Sequence, residues 1–361
     1  SRYSYVVFGK ASGFSATMQL SSLDGSNGFR LDGLAELDQS GVSVSGAGDV
    51  NGDGLSDVII GIQGENTSYV VFGKASGFSA IMELFSLDGS NGFRLDGVSG
   101  SLGSSVSNAG DVNGDGYDDL IVGAHDAYPN GSSSGSSYVV FGKASGFSAI
   151  LDLSRLDGSK GFRLDGNATN DFSGASVSNA GDVNGDGFDD LIVGASGADP
   201  NGYSSGSSYI IFGRSDFGRV VGSPGAAVTY ELANLDGSNG FRLDGEALDS
   251  SGSSVSTAGD INGDGFDDVI VGAWGADPNG ELSGSSYVVF GKASGFNAAM
   301  NLSDLDGNNG FRLDGVSAYA RLGLSVSNAG DVNGDGFDDV IVGAFGADPN
   351  NGELSGSSYV V

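Results

Sequence analysis

A chain of 361 residues with 46 Asp and Glu against 15 Lys and Arg carries a formal net charge of −31, so nucleic-acid phosphate and anionic membrane surfaces would repel it and neither is an expected partner. It has no cysteine and hence no disulfide framework, and no apolar run approaches the roughly 18 residues a membrane span needs, so no membrane insertion is expected. Ser1–Lys10 lacks the basic start and apolar stretch of a signal peptide, which places any export signal outside this sequence.

The chain opens on a β-branched and aromatic run at Ser4–Phe8 and reaches Phe-Arg-Leu-Asp-Gly at Phe29. A short stretch then leads into an acidic loop beginning at Asp49. An apolar run, a Gly/Ser/Asn loop and a Ser-Tyr-Val-Val segment follow, and the order restarts at Phe93. Further copies of the Phe-Arg-Leu-Asp-Gly unit stand at Phe162, Phe241 and Phe311, and further acidic loops begin at Asp111, Asp182, Asp260 and Asp331, at intervals of 62, 71, 78 and 71 residues. The decapeptide Ser-Asn-Ala-Gly-Asp-Val-Asn-Gly-Asp-Gly is identical at Ser107–Gly116, Ser178–Gly187 and Ser327–Gly336, which excludes chance. The 66 glycines, otherwise a mark of low complexity, recur at these repeated positions. The longest interval arises mostly from an insertion around Arg214–Thr229.

Every run is short, β-branched or aromatic, and bounded by Gly, Asn, Asp or Ser, with no helical period. Each repeat reads as four antiparallel strands: A before the acidic loop, B after it, C at Ser-Tyr-Val-Val and D at Phe-Arg-Leu-Asp-Gly. That is the blade of a β-propeller, and the expected fold is all-β. A single array over 1–361 is expected, with a partial blade at 1–33 and repeats at about 34–97, 98–166, 167–245, 246–315 and 316–361. Strand C occurs six times, at both ends of the chain, against five each of A, B and D. Two closures follow: part of a larger ring of six or seven blades, which is the favoured expectation, or a ring of five blades with one spare strand; self-association through open blade edges is a secondary expectation.

Each loop has the form Asp-x-Asn-x-Asp-Gly-x-x-Asp. Its side-chain oxygens come from Asp49, Asn51, Asp53 and Asp57 in the first copy, and from Asp111, Asn113, Asp115 and Asp119 in the second. The later copies supply Asp182, Asn184, Asp186 and Asp190, then Asp260, Asn262, Asp264 and Asp268, then Asp331, Asn333, Asp335 and Asp339. Position 7 (Leu55, Tyr117, Phe188, Phe266, Phe337) can add a backbone carbonyl. These are the first nine positions of an EF-hand loop, and so many hard oxygen donors suit Ca²⁺ better than Mg²⁺. With no thiolate and one imidazole, zinc and copper are not expected. A solvated Asp/Asn/Gly turn is the bland alternative, and five copies with one spacing argue against it. A true EF-hand or dockerin would continue into a helix with an acid at position 12, whereas Leu120–Ala124 reads as strand. About five structural ions are expected, with affinities of roughly 10⁻⁴–10⁻³ M. Asp118 and its equivalents, between two ligand positions, are expected to face solvent. Arg30, Arg94, Arg163, Arg242 and Arg312 are expected to point away from the core, and Asp88 and Asp96 to shape turns.

The acidic loop followed by Ile-Val-Gly-Ala resembles the FG-GAP repeat of integrin alpha propellers and of many bacterial surface proteins, over nearly the whole chain. Leu102-Gly103 and Leu322-Gly323 keep the shape of the family's Phe-Gly entry to strand A, while Phe172 is followed by Ser173. The family's Gly-Ala-Pro ending is altered by His125, Ser196, Trp274 and Phe345, and the first copy reads Gly61-Ile62-Gln63. The resemblance implies calcium loops on one face of a disc and ligand contact on the other, where it puts Gln63, His125, Ser196, Trp274 and Phe345. Packing of Trp274 and Phe345 within their own loops is an equal expectation. It further implies a secreted or cell-surface adhesion or scaffold module that binds protein or self-assembles. A glycan-binding propeller is the alternative, on polar loops such as Tyr128–Ser134. A polysaccharide-active enzyme is disfavoured: His125 is the sole histidine, and Glu65, Glu231 and Asp216 form no recognisable acid pair.

Overall fold

The computed structural model describes residues 3–33, 39–97, 100–217, 227–348 and 355–361; the expected repeat boundaries at 34 and 98, and residues 218–226 of the long insertion, lie outside the described residues. Among these, helix is confined to six single-turn 3-10 segments such as Leu153–Arg155. The strands form six sheets.

Strand B shows most directly how sequence dictates packing. Asp119–Ala124 is buried at every position. Leu120 and Val122 enter a core shared with Ile59, Val70 and Phe93 of the preceding repeat, whereas Ile121 enters one shared with Leu191 and Val193 of the following repeat. A strand covered on both faces has no need of polar alternation, so it reads as a continuous apolar run. Leu191 and Ile192, then Val269 and Ile270, divide between successive cores in the same way. The cores therefore lie between consecutive sheets, and each repeat buries its faces against its neighbours.

Within a sheet the order is A-B-C-D, antiparallel throughout, as in Ser105–Gly110, Asp119–Ala124, Ser136–Val140 and Gly161–Asp165. Strands A of neighbouring sheets are tied by serine hydroxyls. The backbone N–H of Val106, Val177, Val255 and Val326 donates to Ser43, Ser105, Ser176 and Ser254 Oγ respectively, each at 3.0 Å.

The expectation of four strands per blade is extended by the structure. Three sheets have a fifth strand, parallel to D and drawn from the C–D connection of the following repeat. Ile150–Asp152 lies along Gly92–Asp96, Thr229–Glu231 along Gly161–Asp165, and Ala299–Asn301 along Gly240–Asp244. Three residues are too few to show a period, so these stretches read as loop. Each is anchored by an aromatic ring. Phe147 stacks on Phe93 at 4.8 Å between centroids, Phe217 on Phe162 at 4.4 Å and Phe296 on Phe241 at 4.6 Å.

The arginines of strand D point away from the core as expected, but they are not free. Arg163 and Arg242 each lie 2.6 Å from Asp165 and Asp244, two residues on, and Arg94 pairs with Asp96 at 2.5 Å. Asp96 is thus an arginine partner rather than a turn former. Asp88 does shape its turn, accepting the Ser90 N–H at 2.9 Å.

Candidate metal centre

Strands A and B turn through the acidic loop, and the first aspartate organises that turn. Asp111 Oδ1 accepts the N–H of Gly114 at 2.7 Å and of Asp115 at 3.0 Å, while Oδ2 accepts that of Gly116 at 2.8 Å. Asp182 repeats this with Gly185, Asp186 and Gly187, and Asp331 with Gly334, Asp335 and Gly336. Asp49 and Asp260 keep the last two of the three bonds, to Asp53 and Gly54 and to Asp264 and Gly265. Gly116, at φ +87, supplies the left-handed residue that lets the chain close round the carboxylate.

The ninth position closes the loop from inside. Asp119 is fully buried; its Oδ2 accepts from Val112 N at 3.2 Å and its Oδ1 from Gly142 N at 2.9 Å. Burial pushes its carboxyl up to about 9, with Asp115 and Asp111 adding to the rise and the Gly142 amide opposing it. Asp190, Asp268 and Asp57 are pushed up to about 8, 7 and 6, in each case chiefly by burial. A carboxylate desolvated beside two others is a costly place for negative charge.

Among the described residues, no group of three or more His, Cys, Asp or Glu side chains stands converged as a ready metal cage. The first and ninth carboxylates are instead turned onto backbone amides. The donor set nonetheless fits a hard cation: three carboxylates, an amide oxygen and a carbonyl, with no nitrogen or sulfur, on a loop already wound about its first aspartate.

Two features of the loop escaped sequence reasoning. The expectation that Asp118 and its equivalents face solvent is corrected. Asp118 is half-buried and its Oδ2 accepts the N–H of Asp49, the first residue of the preceding loop, at 2.6 Å. Asp189, Asp267 and Asp338 do the same for Asp111, Asp182 and Asp260 at 2.8–3.0 Å. The position 7 rings also reach back: a Cβ added at Gly52, Gly114, Gly185 or Gly263 would collide with the ring of Tyr117, Phe188, Phe266 or Phe337. One sequence signal pointed here. The first copy alone has Leu55-Ser56 where the others have an aromatic followed by Asp.

Gln63, His125, Ser196, Trp274 and Phe345 directly follow their B strands, at the opposite end from the acidic loops. Gln63 opens a single 3-10 turn, and Ser196 is half-buried. His125 Nδ1 lies 2.9 Å from Ser104 Oγ. Trp274 is half-buried, with the Arg321 guanidinium 5.7 Å from its ring. Phe345 is 58% exposed among the described residues.

Propeller-type blades stacked face to face, with an acidic, oxygen-rich loop joining strands A and B in five of the six sheets, define a β-repeat architecture of the propeller-blade class. The family model described as FG-GAP repeat matches residues 40–79, 102–140, 173–211, 251–289 and 322–361, more than half of the chain. The chain belongs to the FG-GAP repeat family. It is 30% identical to integrin alpha-V of Gallus gallus over 253 residues, covering 68% of this chain and 20% of that protein. To integrin alpha-4 of Xenopus laevis it is 33% identical over 159 residues, covering 41% of this chain and 14% of that protein. To integrin alpha-5 of Xenopus laevis it is 28% identical, covering 64% and 20%. The chain thus spans a fifth or less of the length of these relatives.

Proposed function

We propose that this chain is a calcium-stabilised adhesion or scaffold module, secreted or displayed at a cell surface, that takes up about five structural Ca²⁺ and catalyses nothing. One observation carries the reading: the same loop recurs five times, each with a buried ninth aspartate set among other carboxylates. In the second copy Asp111, Asn113, Asp115, Asp119 and the Tyr117 carbonyl would hold the ion, and the other copies would use the equivalent groups. The ion would supply the positive charge that lets the buried carboxylate ionise, pinning strand A to strand B.

Similarity to integrin alpha chains supports adhesion to a protein partner. The variable position after strand B (Gln63, His125, Ser196, Trp274, Phe345) is the proposed contact, because it differs between blades while its surroundings repeat. A glycan-binding alternative draws on exposed Tyr128 and Tyr203. Against it, the loop amides it would need are already committed: Asn130 donates to the Gly166 carbonyl and to Glu231, and Asn201 to the Gly245 carbonyl and Asn301.

Thermal melting in EDTA and in about 10 mM Ca²⁺ tests the metal. At the affinity expected of such loops, each site contributes roughly 1.5–3 kcal/mol under those conditions. EDTA should lower the midpoint by many degrees and Ca²⁺ should restore it. Superimposable melting curves would end the calcium reading.

A further inference from the structure

We propose that neighbouring acidic loops take up calcium cooperatively, coupled through Asp118, Asp189, Asp267 and Asp338 as positioning residues. The inference rests on the calcium reading above and concerns residues that are not ligands in it.

Two sets of contacts join neighbouring loops. The first is a two-way clasp. Asp189 accepts the N–H of Asp111 at 2.8 Å through its carboxylate, and its own N–H donates to the Asp111 carbonyl at 3.4 Å. Asp118 grips Asp49, Asp267 grips Asp182 and Asp338 grips Asp260 with the same pair of bonds, so all four junctions between consecutive loops are built alike. The gripping residue stands between positions 7 and 9 of its own loop, while the gripped residue is position 1 of the loop before.

The second is a dipeptide that touches both loops at once. The Gly142 N–H donates to Asp119, the ninth position of the second loop, and the next N–H, of Lys143, donates to the Val50 carbonyl in the first loop at 2.9 Å. Gly213 and Arg214 bridge Asp190 and Val112 in the same way, and Gly291 and Lys292 bridge Asp268 and Val183. The position 7 ring lying over the glycine of the preceding loop adds an apolar contact to each junction.

An ion in one loop holds its positions 7 and 9, and therefore the aspartate between them. That residue then presents a fixed donor and acceptor to the first ligand of the loop before. The ordering cost met by the first ion is not met again in full by the second, which is positive cooperativity without any change of fold. Repulsion between ions opposes this, but five divalent ions reduce the formal charge only from −31 to −21, so they bind in a net negative field throughout. The contacts link the five loops in series, and the first loop carries no grip of its own, because Ser56 stands where the other loops have the gripping aspartate.

Calorimetric titration of the metal-free 361-residue chain with Ca²⁺ provides the test. The expected isotherm is steeper than independent binding. In Asp189→Ala the steepness should fall and the midpoint Ca²⁺ concentration rise roughly 5-fold or more, with the number of bound ions unchanged. Asp189→Asn keeps an oxygen acceptor and should recover most of the steepness, which general destabilisation would not do. Phe188→Ala keeps the ligand carbonyl, removes the ring over Gly114, and gives an independent reading should Asp189→Ala fail to fold. Five independent sites in the wild type, or an Asp189→Ala isotherm that superimposes on it, would overturn the coupling while leaving calcium binding intact. Loss of a bound ion in Asp189→Ala would make the residue a ligand and likewise overturn it. A chain that binds no calcium would remove the underlying reading and the coupling with it.

Discussion

Asp249 shows what a single carboxylate costs away from the acidic loops. It lies buried in the connection between strands D and A, and burial, with Glu246 and Asp277 nearby, pushes its carboxyl up to about 6, against the opposing pull of the Glu246 amide and Arg312. Because the folded value lies above the ordinary 3.8, the native state holds the proton more tightly than the unfolded chain. Its contribution to stability is full below about pH 4 and is lost as pH rises through about 6. Asp249→Asn does not titrate and keeps an oxygen for the amide. In EDTA, urea unfolding from pH 4 to pH 7 should therefore show the variant gaining on the wild type by of order 1–2 kcal/mol. A constant difference across that range would contradict the assignment. The acidic loops were legible at this scale because their spacing is local. The role of Asp118 was not, since its partner Asp49 is 69 residues away.

At the scale of elements, the glycine late in strand B (Ile-Val-Gly-Ala in the four later copies, Ile-Ile-Gly-Ile in the first) is explained by neighbours rather than by its own strand. Its backbone is ordinary, but a Cβ on Gly61, Gly123, Gly194 or Gly272 would collide with the carbonyl oxygen of Gly103, Gly174, Gly252 or Gly323 in the next sheet. Gly343 is the internal control, because the nearest atom to its Cβ would be 3.6 Å away. Gly123→Ala should destabilise by about 1–3 kcal/mol through overpacking, and Gly343→Ala should stay within about 0.5 kcal/mol. Equal effects in denaturant titrations would remove the close-approach argument. Strands A to D were readable from β-branched runs and turn residues. The fifth strand was not, because Ile150–Asp152 acquires its structure only from the Gly92–Asp96 edge that it joins.

At the scale of the whole molecule, faces that are covered between blades are open on the last sheet. Val50, Val112 and Val183 are fully buried at the second loop position, whereas Val332 is 62% exposed and Phe337 beside it 46%. The strands Tyr3–Val7 and Ser357–Val360 also lie at sheet edges. Apolar surface exposed on a blade face favours packing against a further surface, whether another blade or a second chain. Sedimentation of this 361-residue chain in Ca²⁺ is expected to show species heavier than 36.0 kDa, reduced by Phe337→Ser. A clean monomer in the wild type would exclude self-association.

The repeat, its strands, the oxygen-rich loops and the all-β architecture were determined by sequence alone. Each depends on residues close together in the chain, and periodicity displays such relations directly. Only the tertiary structure decided that the cores lie between blades, that a fifth strand stitches three of the blades to the repeat that follows, and that neighbouring loops grip each other. Those contacts join residues tens of positions apart, and no local pattern records which surfaces the folded chain will bring together.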